Sequence, residues 1–224
     1  MIRSAFAIAL ALVTSHCLRG EARVLDLTPV ARWIEKQQSI RSIEADFTQT
    51  RSLRTLRNPL KAGGRFWFSA PASFRWQVGD PPSTVAIGDD KEITLIDTKK
   101  KTAEKMSRSE VNQQARARGF GMMEFPIAKN YKDFIERFDV LDLEISGTTC
   151  HLEILPKNSQ ARRFLSKIAL DFDTESGQLL AFDISTREGS SMRSEFSNVR
   201  VNGKIEPSVF RYDLTGYEVT NAQP

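Results

Sequence analysis

From Ile43 onward the apolar residues of the chain recur at every second position, and many of those positions carry an aromatic ring. A period of two sends successive side chains to opposite faces of a strand, so this pattern commits the chain to sheet rather than helix. Ile43, Ala45 and Phe47 alternate with Glu44, Asp46 and Thr48, and Gly64, Phe66 and Phe68 alternate with Arg65, Trp67 and Ser69. Past the break at Pro71, Phe74 and Trp76 alternate with Ser73, Arg75 and Gln77. Residues 85–87 and 93–96 flank Gly88-Asp89-Asp90-Lys91, a hairpin-type turn. In the second half Phe164, Ile168, Leu170 and Phe172 share one parity. Leu180, Phe182 and Ile184 do the same after the turn at Glu175-Ser176-Gly177. Met192 and Phe196 fall on the next strand, and Phe210-Arg211-Tyr212 on the last. Short loops between successive strands predict an antiparallel meander.

Helical signals are few. Thr28 reads as an N-cap with Pro29 at the first helical position, and Val30, Trp33, Ile34 and Gln37 follow the i, i+3, i+4, i+7 spacing. Residues 108–118 are polar and helix-compatible, and residues 119–126 are apolar, Gly-broken and Met-rich. Residues 130–138 read as a short helix with Phe134 and Phe138 four apart. So few helices cannot cover both faces of a sheet. The expected fold is mainly β with a few short helices: a strongly curved open sheet, its concave face lined with rings and plugged by the helices.

The N-terminus sets the compartment. Arg3 precedes an apolar run over residues 5–13, too short for the about 20 residues that span a bilayer. Gly20-Glu21-Ala22 then offers small residues at both cleavage positions, so residues 1–22 read as a signal peptide cut after Ala22. Residues 23–224 are left as one domain, with no Gly/Ser/Pro-rich linker and no internal repeat. Cys17 is a poor lipid-attachment site, because His16 and Thr14 stand where a lipoprotein signal has a small residue and leucine. Cleavage lowers the formal net charge from +4 to +3, and the cations are scattered. The densest run, Lys99-Lys100-Lys101 with Lys105 and Arg108, reads as a solvated hairpin tip. Secretion with so mild a charge argues against a nucleic-acid partner. Cys150, alone after cleavage, has no partner for an intrachain disulfide and reads as a small buried hydrophobe.

Catalytic chemistry is hard to find. His151 is the one histidine left after cleavage and lies within a strand pattern. There is no G-x-S-x-G elbow, H-E-x-x-H helix or Cys/His cluster at metal-ligand spacing. Asp171 and Asp173 share a face, but their alternation with Phe172 makes that the solvent face. The expectation is a binding protein without enzymatic activity, cofactor or metal.

The order of motifs adds a resemblance. Ile43-x-Ala45-x-Phe47-x-Gln49, then Gly64-x-Phe66-x-Phe68, then Pro71-x-x-Phe74-Arg75-Trp76, resembles the outer-membrane lipoprotein carrier family, LolA. It continues through Asp89-Asp90-Lys91, where that family usually has Asp-Gly-Lys, and through Phe196-Ser197-Asn198-Val199 and Asn202. Phe210-x-Tyr212 and Gly216-Tyr217-Glu218-Val219 complete it. The resemblance implies an open antiparallel half-barrel with a helical lid over an apolar cavity, in which Phe74 and Trp76 form the family's aromatic pair. The cavity positions expected in the first half are Phe47, Phe66, Phe68, Phe74, Trp76 and Leu95. Ile168, Leu170 and Phe182 are expected from the second half, with Met122, Met123 and Phe125 from the segment above. One position departs from the family. Ala70 stands where the family commonly has an Arg that hydrogen-bonds to the lid, which leaves Arg75 as a candidate substitute in lid control.

By resemblance the chain is a monomeric periplasmic carrier. It shields the acyl chains of lipoproteins between an inner-membrane ABC transporter and an outer-membrane receptor. Three other functions compete: a carrier of a glycolipid or polyketide-type lipid, a periplasmic acyl-chain sensor, and an esterase-like enzyme, against which the single His151 argues. Bulk phenyl rings without fixed polar groups do not select one head group.

Overall fold

The alternating segments assemble into one open sheet. A computed structural model describes residues 25–107 and 128–221. Helix α1 (Thr28–Gln37) leads into a meander of β1 (Ser42–Ser52), β2 (Leu60–Ser69), β3 (Ser73–Val78), β4 (Thr84–Gly88), β5 (Glu92–Asp97) and β6 (Thr102–Ser107). After α2 (Tyr131–Arg137) a second meander runs through β7 (Phe138–Ser146), β8 (Thr149–Pro156), helix α3 (Ser159–Phe164), β9 (Leu165–Asp173), β10 (Leu179–Thr186) and β11 (Ser191–Val201). A 3-10 turn (Pro207–Phe210) and β12 (Glu218–Asn221) follow. The strand order is β12-β6-β5-β4-β3-β2-β1-β11-β10-β9-β8-β7. The two meanders are joined where β1 pairs antiparallel with β11, Phe47 opposite Phe196. Among the described residues no helix is long and apolar enough to cross a membrane.

The sheet is strongly curved. Strands β3 and β10 lie four positions apart, about 19 Å in a flat sheet. Yet the rings of Trp76 on β3 and Phe182 on β10 are 6.1 Å apart. The ringed face therefore folds inward on itself.

Two cores share that face. One contains Phe47, Phe68, Phe74 and Trp76, all at most 8% exposed. The other lies under α1 and α2 and contains Trp33, Phe134, Leu152, Ile154 and Phe172. α1 buries Val30, Trp33, Ile34 and Gln37, as its spacing predicts. Trp33 stacks on Phe172 at 4.6 Å, and its indole N–H donates to the Gly177 carbonyl at 3.1 Å. Gly177 sits at φ +77, a conformation glycine takes without strain, and a Cβ there would press on the Lys36 side chain. α2 starts where expected, the Asn130 side chain accepting the Asp133 N–H at 2.9 Å.

Four expectations change. The helix begins at Thr28 rather than at Pro29; Leu27 is the cap position and the Thr28 N–H itself donates to Asp26 at 2.9 Å. Phe164 ends α3 and is 46% exposed, whereas Ile168, Leu170 and Phe172 are buried on β9. Asn158 caps that helix by accepting the N–H groups of Gln160 and Ala161, and this interrupts the strand pattern. Phe210-Arg211-Tyr212 is not a strand but the exit of the 3-10 turn. The last strand is β12, which runs parallel to β6 and so departs from a pure antiparallel meander.

Candidate functional site

The aromatic face narrows to a cavity of about 480 Å³ at the seam between the two cores. Its walls come from distant strands. Phe66 stands opposite Trp76 across β2 and β3. Ile43 and Ala45 come from β1, Ile168 and Leu170 from β9, Phe182 from β10, and Phe196, Val199 and Val201 from β11. Trp76 is the hub: it stacks on Phe47 at 4.0 Å and lies 5.5 Å from Phe66 and 6.1 Å from Phe196.

A bulge supplies part of the lining. Asp46 pairs with Ser197 but Glu44 pairs with Arg200, so β11 carries an extra residue opposite Ala45. Asn198 takes it up at φ +51, a conformation asparagine tolerates, while its side-chain amide donates to Asp46 at 2.8 Å. The parity of β11 switches there. Ser194 and Phe196 point inward at even positions, then Val199 and Val201 at odd ones, and Arg200 turns outward to pair with Glu44.

The mouth is polar. The Gln37 side chain donates to the Gly177 carbonyl at 2.8 Å, and the Lys36 ammonium donates to the carbonyls of Thr174 (3.1 Å) and Glu175. Asn202 closes the other side by accepting the Arg41 N–H at 2.7 Å. Inside this rim the lining is almost wholly apolar. Among the described residues the charged side chains that line the cavity are Lys36 and Glu175, which belong to the rim. Such a space takes an apolar body and leaves a polar head at the entrance.

Among the described residues a network of ionisable groups lies elsewhere. On the outer face His151 contacts Asp171 at 2.5 Å and Glu153 at 3.4 Å, Asp171 also pairs with Arg193 at 2.7 Å, and Lys167 pairs with Glu153. The hydrogen bond to Asp171 raises the His151 pKa. Burial pulls Asp171 upward, but hydrogen bonds from His151 and Arg193 outweigh it and hold the carboxyl below its usual range. Cys150, fully buried beside them, has its thiol pushed up to about 11 by burial and then by Asp171. Among the described residues no group of His, Cys, Asp and Glu is arranged to hold a metal ion.

A family model decides what the fold and cavity belong to. The model described as outer membrane lipoprotein carrier protein LolA matches residues 38–213. The chain belongs to the LolA family. Among its relatives is a protein of Nitrosospira multiformis named outer-membrane lipoprotein carrier protein, 23% identical over 78% of this chain and 79% of that one. One of the same name from Methylococcus capsulatus is 22% identical over 86% of this chain and 87% of that one. A crystal structure of an uncharacterized conserved protein from Thermus thermophilus shares the fold. Its TM-score is 0.51 at 10% identity, covering 86% of this chain and 99% of that one.

Within this LolA-family cavity the expected residues divide. Phe66, Trp76, Ile168, Leu170 and Phe182 line it. Phe47, Phe68 and Phe74 are packed behind the lining, and Leu95 is partly buried against them. Met122, Met123 and Phe125, with the rest of residues 108–126, lie outside the described residues. Phe196 also lines the cavity at the even parity it shares with Met192, whereas Val199 and Val201 are lining residues that alternation alone misses, because the Asn198 bulge reverses their parity. Ile40, Ile43, Ala45 and Leu179 also line it and are within reach of parity or adjacency.

Arg75, the candidate in lid control, is turned by its alternation with Phe74 and Trp76 to the opposite face of the sheet. There its guanidinium donates to the carbonyls of Val209 (3.1 Å) and Arg211 (3.4 Å) and to the Gln77 side chain (3.0 Å). It also lies over the rings of Trp67 and Tyr212. Its role is to strap the C-terminal segment onto β2–β6, where Tyr212, Leu214 and Tyr217 cover Val85, Ile96 and Ala103. Ala70 directly follows β2, donates its N–H to the Arg41 carbonyl at 2.7 Å and packs against the aromatic core.

Proposed function

We propose that this protein is a periplasmic carrier that shields the acyl chains of lipoproteins and moves them from an inner-membrane ABC transporter to an outer-membrane receptor, without catalysis. The observation that carries this is the cavity in which Phe66, Trp76, Phe182 and Phe196 converge behind a polar rim. Family membership and the relatives' names support lipoproteins as the cargo. Each CH₂ left in water costs roughly 0.8 kcal/mol, so a long acyl chain crosses an aqueous space only if it is covered. Partly exposed rings that pack on one another when the cavity is empty, and on hydrocarbon when it is filled, give two populations that cargo shifts by its differential affinity.

Native purification from the periplasm, followed by lipid extraction and mass spectrometry of whatever co-purifies, is the test. Acylated lipoprotein should be recovered with the wild type and not with Phe66→Glu. Recovery of a glycolipid or polyketide-type lipid instead would move the assignment to another lipid carrier. A protein that binds neither native lipid nor a fluorescent acyl probe would sink both.

A further inference from the structure

The cavity mouth occupies one end of the sheet, and the opposite end has an unusual surface. The tip of the β1–β2 hairpin, residues 53–59, joins Ser52 of β1 to Leu60 of β2. No acidic residue occurs between Asp46 and Asp80, whereas Arg51, Arg54, Arg57 and Lys61 follow one another at three- or four-residue intervals. All four are exposed, and none forms an ion pair among the described residues. Leucines are interleaved with them: Leu56 is 44% and Leu60 52% exposed. The strand register extends the surface sideways. Ser52 pairs with Ser191, Ser185 with Ser191, and Thr186 with Leu165, so the exposed Arg187 and the 46%-exposed Phe164 stand at the same end.

We propose that this end of the molecule docks on a bilayer surface carrying anionic phospholipid headgroups. Arginines held out on a hairpin tip without carboxylate partners meet the phosphates, and their aliphatic stems lie along apolar neighbours. Leu56, Leu60 and Phe164 enter the boundary between headgroups and chains, which deforms around a convex tip. A protein surface would need a preformed apolar socket for the same leucines. The inference is independent of what the cavity holds. Roughly nine residues of β1 separate tip from mouth, about 30 Å at strand rise, so docking leaves the mouth open to a partner above the membrane.

Flotation with vesicles of phosphatidylcholine, with or without phosphatidylglycerol, tests the proposal on the purified secreted protein. Binding is expected to the anionic vesicles alone and should weaken as salt is added. The double variant Arg54→Glu/Arg57→Glu should lower it by roughly tenfold or more while melting temperature and acyl-probe binding stay unchanged. Leu56→Trp should show a blue-shifted emission with anionic vesicles only. Equal binding by the charge-reversed variant, equal binding to neutral vesicles, or no vesicle binding at low salt would each overturn it.

Discussion

Phe66 and Phe74 project to the same face from neighbouring strands, yet a charge at the two positions should have different consequences. Phe74 is 4% exposed and packed between Phe68 and the chain at Gly88, where a glutamate carboxylate would be buried without a partner. Phe74→Glu should therefore cost several kcal/mol and unfold the domain, read as loss of the cooperative thermal transition. Phe66 is only partly buried and faces the cavity, so Phe66→Glu should give a folded protein that no longer binds an acyl probe. If both variants unfold, the cavity wall is ordinary core. Gly64 offers a second contrast. A Cβ there would overlap the Phe47 ring and the Gln77 carbonyl, whereas at Gly63 it would meet nothing within 4 Å. Gly64→Ala should destabilise by about 1–3 kcal/mol through overpacking. Gly63→Ala should be neutral or stabilise by up to about 1 kcal/mol in the same denaturant titration.

At the scale of elements, Arg75 ties β3 to the C-terminal segment, and removing it should loosen that segment alone. Arg75→Met should raise hydrogen exchange over residues 207–221 and lower stability by about 1–2 kcal/mol, with acyl-probe binding unchanged. Loss of probe binding instead would favour Arg75 in lid control. The outer-face network across β8, β9 and β11 predicts a pH effect. The folded-state pKa of His151 is raised, so its contribution is fully present below the unfolded value of about 6.5 and is lost as pH rises through the folded value. The melting-temperature advantage of the wild type over His151→Gln should thus shrink from pH 6 to pH 8, by an amount kept small by solvent screening. An advantage that grows with pH would place the proton elsewhere. These elements also mark where sequence suffices. The β1–β5 and β9–β11 patterns are legible because each buries one face beside a polar one. The same alternation, followed strictly, already turns Arg75 away from the cavity. Other features are not local. α3 hides within an apolar parity that Phe164 shares by position alone, β6 has too few apolar residues to announce itself, and β12 is set by its pairing with β6 and not by its own four exposed residues. The lining from Val199 to Val201 requires knowing that Asn198 forms a bulge.

For the whole molecule, the join between β1 and β11 governs when the cavity can exist. Each meander is built from hairpins between successive strands, which form early and locally. The β1–β11 pairing brings together Gln49 and Ser194, 145 residues apart in the chain, and it alone places Phe196 against Phe47 and Trp76. Loop-closure entropy makes that contact late. In refolding experiments Trp76 fluorescence, with Trp33 and Trp67 replaced by phenylalanine, should therefore change in a slower phase than far-UV circular dichroism. A single phase common to both probes would count against late joining. The same long-range pairing bears on export. If the chain is exported as proposed, a ring-lined pocket that waits for its penultimate strand presents no finished hydrocarbon trap while the chain is still threading out through a membrane, and completes one only after nearly all of it has arrived.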